Sequence, residues 1–258
     1  MALSSAQKAL HWGAFFIVWI LAGPAVAELC GIQASARPVA VISKYVIDGD
    51  TLELTDGRRV RLIGIDTPEI GYRGQPSEPF AKKARAELER LVKGADLQLV
   101  VGKQSKDRYG RTLGHLYVDG VNLEAQLLRD GLGFAVGIAP NLALLDCHMQ
   151  QEALARQKRL GLWESSPVKP AAKVASGGFQ VIRGQVVRIE RTGRYVWLDL
   201  DGPVTLRLNS AGLERFGDVA KWTGRTLEVR GWVVERKPRR GHKRFMLPLI
   251  EPRLTHLE

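Results

Sequence analysis

The chain has 258 residues, 45% of them hydrophobic, with 38 Lys and Arg against 27 Asp and Glu for a formal net charge of +11. That length buries a sizeable core and suits one or two domains, and the composition excludes a disordered or fibrous chain. The positive balance points to nucleic acid or an anionic surface as partner and says nothing about fold.

Residues 1–27 read as a secretory signal peptide. Lys8 and His11 precede the apolar run 12–22, and Ala25-Val26-Ala27 has the small-residue pattern of a cleavage site. The run is shorter than the ~20 residues of a bilayer span. The expectation is export, periplasmic or secreted, with a mature chain starting near Glu28 and no stable membrane insertion. The alternative is an uncleaved N-terminal anchor. Cys30 and Cys147 are the only cysteines. An exported chain can bridge them, and a disulfide and two unpaired thiols are both open.

Residues 39–47 read as a first strand. In VIDGDTLELTDGRRVRLIGIDTPE, residues 46–69, Leu52 and Leu54 alternate with polar residues as in a half-buried strand. Asp56-Gly57 supplies a tight turn, and residues 60–65 form the return strand. Val60 and Leu62 point one way, and Arg61, Ile63 and Ile65 the other. A guanidinium among isoleucines needs an anion, either a neighbouring acid or a phosphate. Asp48, Asp50, Asp66 and Glu69 crowd the two ends of this hairpin. Clustered carboxylates repel unless a cation lies between them, and all-oxygen ligands favour Ca²⁺ or Mg²⁺ over zinc. Taken singly, each acid is equally a turn residue.

Ser77 is the expected N-cap of a helix with Glu78 in its first turn, an apolar stripe from Phe80 to Val92, and Gly94 at its end. Residues 97–101 form a short strand, and 103–111 a polar, basic segment. Asp107-Arg108-Tyr109-Gly110-Arg111 places a glycine beside an arginine, which allows close approach to a ligand. A strand over 113–118 follows, then a helix capped by Asn122, and a third helix over 141–160. His115 and His148 are read as a strand and a helix residue without a metal or catalytic role. Residues 165–178, rich in Pro, Ala, Ser and Gly, read as an interdomain linker. Residues 179–258 carry five strand candidates, at 181–189, 195–200, 204–208, 226–234 and 245–250, with a short helix at 213–216 between the third and fourth. This pattern suggests a small basic OB-like barrel. The 236–244 run, RKPRRGHKR, is suited to a nucleic-acid backbone. Trp197, Trp222 and Trp232 are either core residues or stacking platforms.

DGDT at 48–51, RLIGIDTPE at 61–69, DRYGR at 107–111 and LGLW at 160–163 together resemble the thermonuclease, or staphylococcal-nuclease-like, family over residues 38–164. The resemblance implies a five-stranded OB-type barrel with three helices, α+β and mainly β. It also implies a Ca²⁺-dependent phosphodiesterase that acts on DNA and/or RNA as an endonuclease and leaves 3′-phosphate and 5′-hydroxyl ends. Asp50, Asp66 and the Thr67 backbone carbonyl match its metal ligands. Glu69 matches the residue that positions or deprotonates water, and Arg61 and Arg111 match the arginines that hold the phosphate. Asp48 matches an acid near the metal that is not a direct ligand. The chain departs from the pattern at residues 134–140, which lack the two tyrosines that pack on the nucleotide in the family's best-known members; Phe134 is the available substitute. The alternative to an enzyme is a silent nuclease-like scaffold of the cell envelope that binds nucleic acid or protein.

Overall fold

A computed structural model describes residues 29–258; the expected signal peptide lies outside the described residues. The first half contains β1 (Val39–Val41), β2 (Ser43–Asp48), β3 (Thr51–Leu54), β4 (Arg59–Leu62), β5 (Ile65–Asp66), α1 (Ala81–Val92), β6 (Leu97–Lys106), β7 (Thr112–Val118), β8 (Val121–Asn122), α2 (Leu123–Arg129), β9 (Phe134–Ala135) and α3 (Leu145–Lys158). The strands pair in the order β1-β6-β7-β4-β3-β2. Because β1 and β2 are one chain segment broken only at Ile42, this path closes on itself as a five-stranded barrel. Its β4–β7 pairing is parallel, with Val60 opposite Thr112, and its other barrel pairings are antiparallel.

The alternation read from sequence fills this barrel. Leu52, Leu54, Val60, Leu62, Leu97, Leu99 and Leu116 are buried, and α1 adds Ala84 and Leu88 from one face. Three sequence expectations shift. α1 starts at Ala81 without a side-chain cap, because Ser77 instead accepts the Gly71 N–H within the preceding loop. β6 runs on to Lys106, its polar end pairing with Thr112. The third helix starts at Leu145, because Asn141 exchanges hydrogen bonds with the Gln104 backbone instead. As expected, Arg61 shares its face with buried Ile63 and Ile65. A disulfide joins Cys30 to Cys147 and ties the segment before β1 to α3.

The second half holds β10 (Val168–Pro170), β11 (Gly178–Thr192), β12 (Tyr195–Leu200), β13 (Val204–Asn209), β14 (Thr226–Glu235), β15 (Phe245–Leu249) and β16 (Thr255–Leu257). Their order is β10-β11-β12-β13-β15-β14-β16, and β11 also pairs with β14. β11 to β15 thus form a closed, all-β barrel with the same strand order as the first, again with one parallel pair, β13 with β15. The expected helix is a 3-10 segment, Ser210–Phe216, between the third and fourth barrel strands. Residues 165–178 connect the barrels but are not a free tether. β10 pairs with β11, and Ala171 and Val174 are buried in the second core. Small apolar residues just after Pro170 pack here although they show no periodicity.

The barrels are joined by charge and by aromatic rings. Arg230 of β14 donates to Glu152 of α3, and Arg156 of α3 makes a two-pronged bond to Glu228 of β14. Phe134 stacks between Trp163 and Phe179, and Phe179 meets Trp232. Among the described residues no helix is long and apolar enough to cross a membrane.

Candidate active site

The acids meet where β3, β4 and β5 begin or end. The tight Asp48-Gly49 turn delivers Asp50 to the head of β3. At Gly49 a Cβ would lie 2.6 Å from the Ala84 side chain and 2.8 Å from Thr67 Oγ1, so only glycine lets this turn sit against α1. The Leu62 N–H donates to the Asp50 carbonyl (2.8 Å), which locks β4 against the acid turn. Gly64, at φ 84°, reverses the chain between β4 and β5 and brings Asp66 back beside Arg61.

Arg61 is the hub. One Nη2 donates to Asp66 (2.9 Å) and lies 3.1 Å from Asp50, while Nη1 donates to the Leu62 and Ile65 carbonyls at 2.7 and 2.8 Å. Asp50 also accepts the Thr67 N–H (2.9 Å) and the Thr51 hydroxyl (3.0 Å), and Asp48 accepts the Asp50 N–H (3.0 Å). Glu69 sits at the rim. Its backbone N–H donates to the Glu78 carboxylate (2.9 Å), leaving its own carboxylate free of protein donors among the described residues.

One guanidinium among four carboxylates leaves an excess of negative charge, and the acids register it. Burial, then repulsion from Asp50, raises Asp48 to about 7. Burial raises Asp66 to about 7 against the pull of Arg61, with Asp50 and Glu69 adding repulsion. Glu69 is raised by desolvation and by Asp50, opposed by Arg61 and Arg111. Groups that resist ionisation together accept it together when a cation joins them. The donor set fits a hard ion: two close carboxylates, Asp50 and Asp66, with the Thr67 backbone between them and Glu69. Thr67 Oγ1 is buried without a partner, a further oxygen beside the acids. Among the described residues no three His, Cys, Asp or Glu side chains form a ready-made cage. An ion on this donor set would complete its shell with water.

Arg111 approaches from the second motif. Asp107 accepts the Tyr109 and Arg111 N–H groups (2.9 and 3.0 Å) and the Arg111 Nε (2.7 Å), folding 107–111 into a tight turn with Gly110 at φ 81°. The two terminal nitrogens of Arg111 donate to no group among the described residues, so they remain for an anion. An open cavity of about 550 Å³ lies here, walled by Arg58, Arg59, Lys106, Tyr109 and Arg111, with no acid in its lining. The structure therefore brings Asp50, Asp66, Thr67 and Arg61 into direct contact, with Glu69 at the rim and Arg111 within electrostatic range of it.

Two supporting groups escape sequence reasoning. His148 lies so close to Gly64 that a Cβ there would fall 2.3 Å from Nδ1, and its Nε2 bonds to the Asn122 side chain at 2.9 Å. Glu152 accepts the Ala135 N–H at 2.6 Å, and Ala135 pairs with Ile65 beside Asp66. Both lie more than eighty residues from the acids they support, and no local spacing signals them. Phe134 does not stand in for the missing tyrosines, because its ring is packed between Trp163 and Phe179.

Residues 59–165 match the family described as staphylococcal nuclease homologue. A thermonuclease of Staphylococcus intermedius is 34% identical over 135 residues, 51% of this chain and 80% of the relative. A thermonuclease of Staphylococcus hyicus is 32% identical over 123 residues, 46% of this chain and 73% of the relative. An endonuclease of Bacillus subtilis is 34% identical over 133 residues, 50% of this chain and 63% of the relative. The family match ends before β10, so the second barrel lies beyond it. With its barrel order, its acid–arginine hub and this likeness over most of the first relative's length, the chain belongs to the staphylococcal nuclease family.

Proposed function

We propose that this protein is an exported, Ca²⁺-dependent nuclease that hydrolyses phosphodiester bonds in DNA and/or RNA. The relatives named thermonuclease and endonuclease support a nuclease-like function. The convergence of Asp50, Asp66, Arg61 and Glu69, faced by the free end of Arg111, carries the finer reading. The disulfide supports export, since such bonds persist in oxidising compartments.

Asp50, Asp66 and the Thr67 carbonyl would hold the ion. When bound, Ca²⁺ supplies positive charge at the phosphate and lowers the pKa of bound water. Glu69, its pKa raised by desolvation and by Asp50, would accept the proton of the attacking water as the water oxygen bonds to phosphorus, and the bond to the leaving oxygen would break with that oxygen taking a proton from solvent. Arg111 donates its two terminal N–H groups to the phosphoryl oxygens as they gain charge. Arg61 keeps the two ligand acids together and has its Nε free among the described residues.

The test is cleavage of DNA and of RNA by the purified chain with Ca²⁺, with chelator, and with Glu69→Gln. The expected outcome is ion-dependent cleavage lost in the variant. A folded, Ca²⁺-binding protein without activity would point instead to a binding scaffold.

A further inference from the structure

In the second barrel, Val196, Leu198 and Leu200 of β12 are fully buried. The alternation therefore turns Tyr195 and Trp197 outward, side by side with ring centroids 6.0 Å apart. Polar residues are the usual occupants of such positions. Arginines lie over both rings. Arg207 of β13 is 4.9 Å and Arg194 5.5 Å from the Tyr195 ring centre, and Arg236 is 5.1 Å from that of Trp197. The β14–β15 loop, closed by an Arg236 N–H bond to the Arg244 carbonyl, brings Arg239 and Arg240 to the same end.

The pairing of charges separates this face from a merely solvated basic surface. Most other arginines of the barrel are paired with a glutamate carboxylate: Arg183 with Glu258, Arg188 with Glu190, Arg215 and Arg253 with Glu251, Arg244 with Glu235 and Arg230 with Glu152, while Arg225 donates to the Glu258 main-chain oxygen. Arg191, Arg194, Arg207, Arg236, Arg239 and Arg240 have no carboxylate partner among the described residues. Arg194, Arg207, Arg236, Arg239 and Arg240 lie at the β11–β12 turn, on β13, or in the β14–β15 loop, the surroundings of the two rings, whereas Arg191, opposite the inward-facing Val196, lies on the other side of β11. The face also carries acids: Glu190, opposite Trp197 and already taken by Arg188, and Asp199.

We propose that this face, with Tyr195, Trp197, Arg207 and Arg236 at its centre, binds single-stranded nucleic acid. A guanidinium held over a ring can still direct its N–H donors outward to phosphate oxygens. The rings offer bases a stacking surface that does not depend on sequence. Bases stacked within a duplex cannot reach such rings, so the single strand is the ligand that uses both features. The faces of the second and third strands of five-stranded Greek-key barrels, here β12 and β13, and their adjoining loops are suited to this task. The site also supplies, on a separate barrel, the base stacking that residues 134–140 lack. The proposal deepens the nuclease reading and rests on it for the choice of ligand.

The experiment uses the full mature chain with chelator present, so that no cleavage is needed. Fluorescence anisotropy of a labelled oligothymidylate, of a matched duplex, and light scattering from anionic phosphatidylserine vesicles are compared for wild type, Trp197→Leu, Arg207→Ala and Arg236→Ala. Circular dichroism checks the fold; the arginine variants, whose side chains lie outside the barrel, keep the test decisive if Trp197→Leu fails to fold. The expected result is single-strand binding weakened about tenfold in the Trp197 variant. In each arginine variant the salt dependence of binding should fall by ~0.7 in log–log slope. Unchanged affinity in all variants would overturn the proposal, as would a duplex bound equally well, or vesicle binding that the variants abolish while single-strand binding persists. Cleavage of a dinucleotide, measured separately with Ca²⁺, should be the same in Arg207→Ala and Arg236→Ala as in wild type. No dinucleotide cleavage even in wild type would count against the nuclease reading alone.

Discussion

Arg230 and Glu152 form an ion pair across the two barrels at 2.5 Å, with only 9% and 5% of their side chains exposed. The same Glu152 carboxylate accepts the Ala135 N–H, so one buried charge serves both the domain interface and the strand beside Asp66. Removing one partner of such a pair leaves the other charged and unpaired. Arg230→Met should cost about 3–5 kcal/mol in urea unfolding, and adding Glu152→Gln should restore part of it. Equal stability of Arg230→Met and wild type would refute this role.

The proposed roles at the first barrel separate kinetically. Glu69→Gln should lower kcat by roughly 10²–10⁴-fold while leaving Ca²⁺ binding nearly intact, because Glu69 acts on the water. Arg111→Ala should lower kcat/KM by roughly 10²–10³-fold. Steady-state cleavage and calcium titration on the same preparations decide between these assignments.

Ca²⁺ should stabilise the protein, since it binds the folded donor set and not the unfolded chain. At a hundredfold excess over its Kd the gain is about 2.7 kcal/mol, read as a higher Tm in calorimetry and lost on chelation. Asp66→Asn should abolish most of that gain. An ion-induced rise of equal size in the variant would move the site elsewhere.

His148 sets an acid limit on stability. Burial, then the neighbouring His115, lowers its pKa from 6.5 to about 3, so the folded protein keeps it neutral. His115 is itself bonded to Glu124, and Asn122 faces the other nitrogen of His148. Between these values the unfolded chain binds the extra proton. Its contribution is therefore full above pH 6.5 and is lost as pH falls toward 3, by up to about 1.4 kcal/mol per unit. His148→Gln should flatten the fall between pH 6 and 4 in denaturant titrations; an unchanged slope would assign the loss to other groups.

The Cys30–Cys147 bridge closes a span of 117 residues. Cys30→Ser with Cys147→Ser should cost about 2–5 kcal/mol in unfolding free energy, and reduction of the wild type should match it.

The site was legible because its residues are close in sequence. Asp50, Arg61, Asp66 and Glu69 lie on one hairpin and its exits, where period-two alternation and the Asp56-Gly57 turn fix who faces whom. The second barrel was legible from strand count and spacing, the first from the family resemblance of its motifs. The start of α1 was not, because Ser77 found a loop N–H before it could find a helix. Nor were His148 and Glu152, whose effect on the acid strands passes through contacts between distant elements. Trp222 is buried whereas Trp197 and Trp232 are outside, a difference fixed by barrel closure and not by composition.

The repeated strand order has a kinetic consequence. Each barrel closes only when its fourth strand meets its first: Val39 with Leu99 in one, Gln180 with Gly231 in the other. Such distant pairings carry a high loop-closure cost before any contact repays it, so folding is slow compared with a helical chain of this size. The first barrel can close early, but Glu152 stays without its arginine until residue 230 has arrived. An emerging chain therefore completes its nuclease half last at the edge shared with β14, and a truncated product would expose that acid edge and the Phe134 ring to solvent and to proteases.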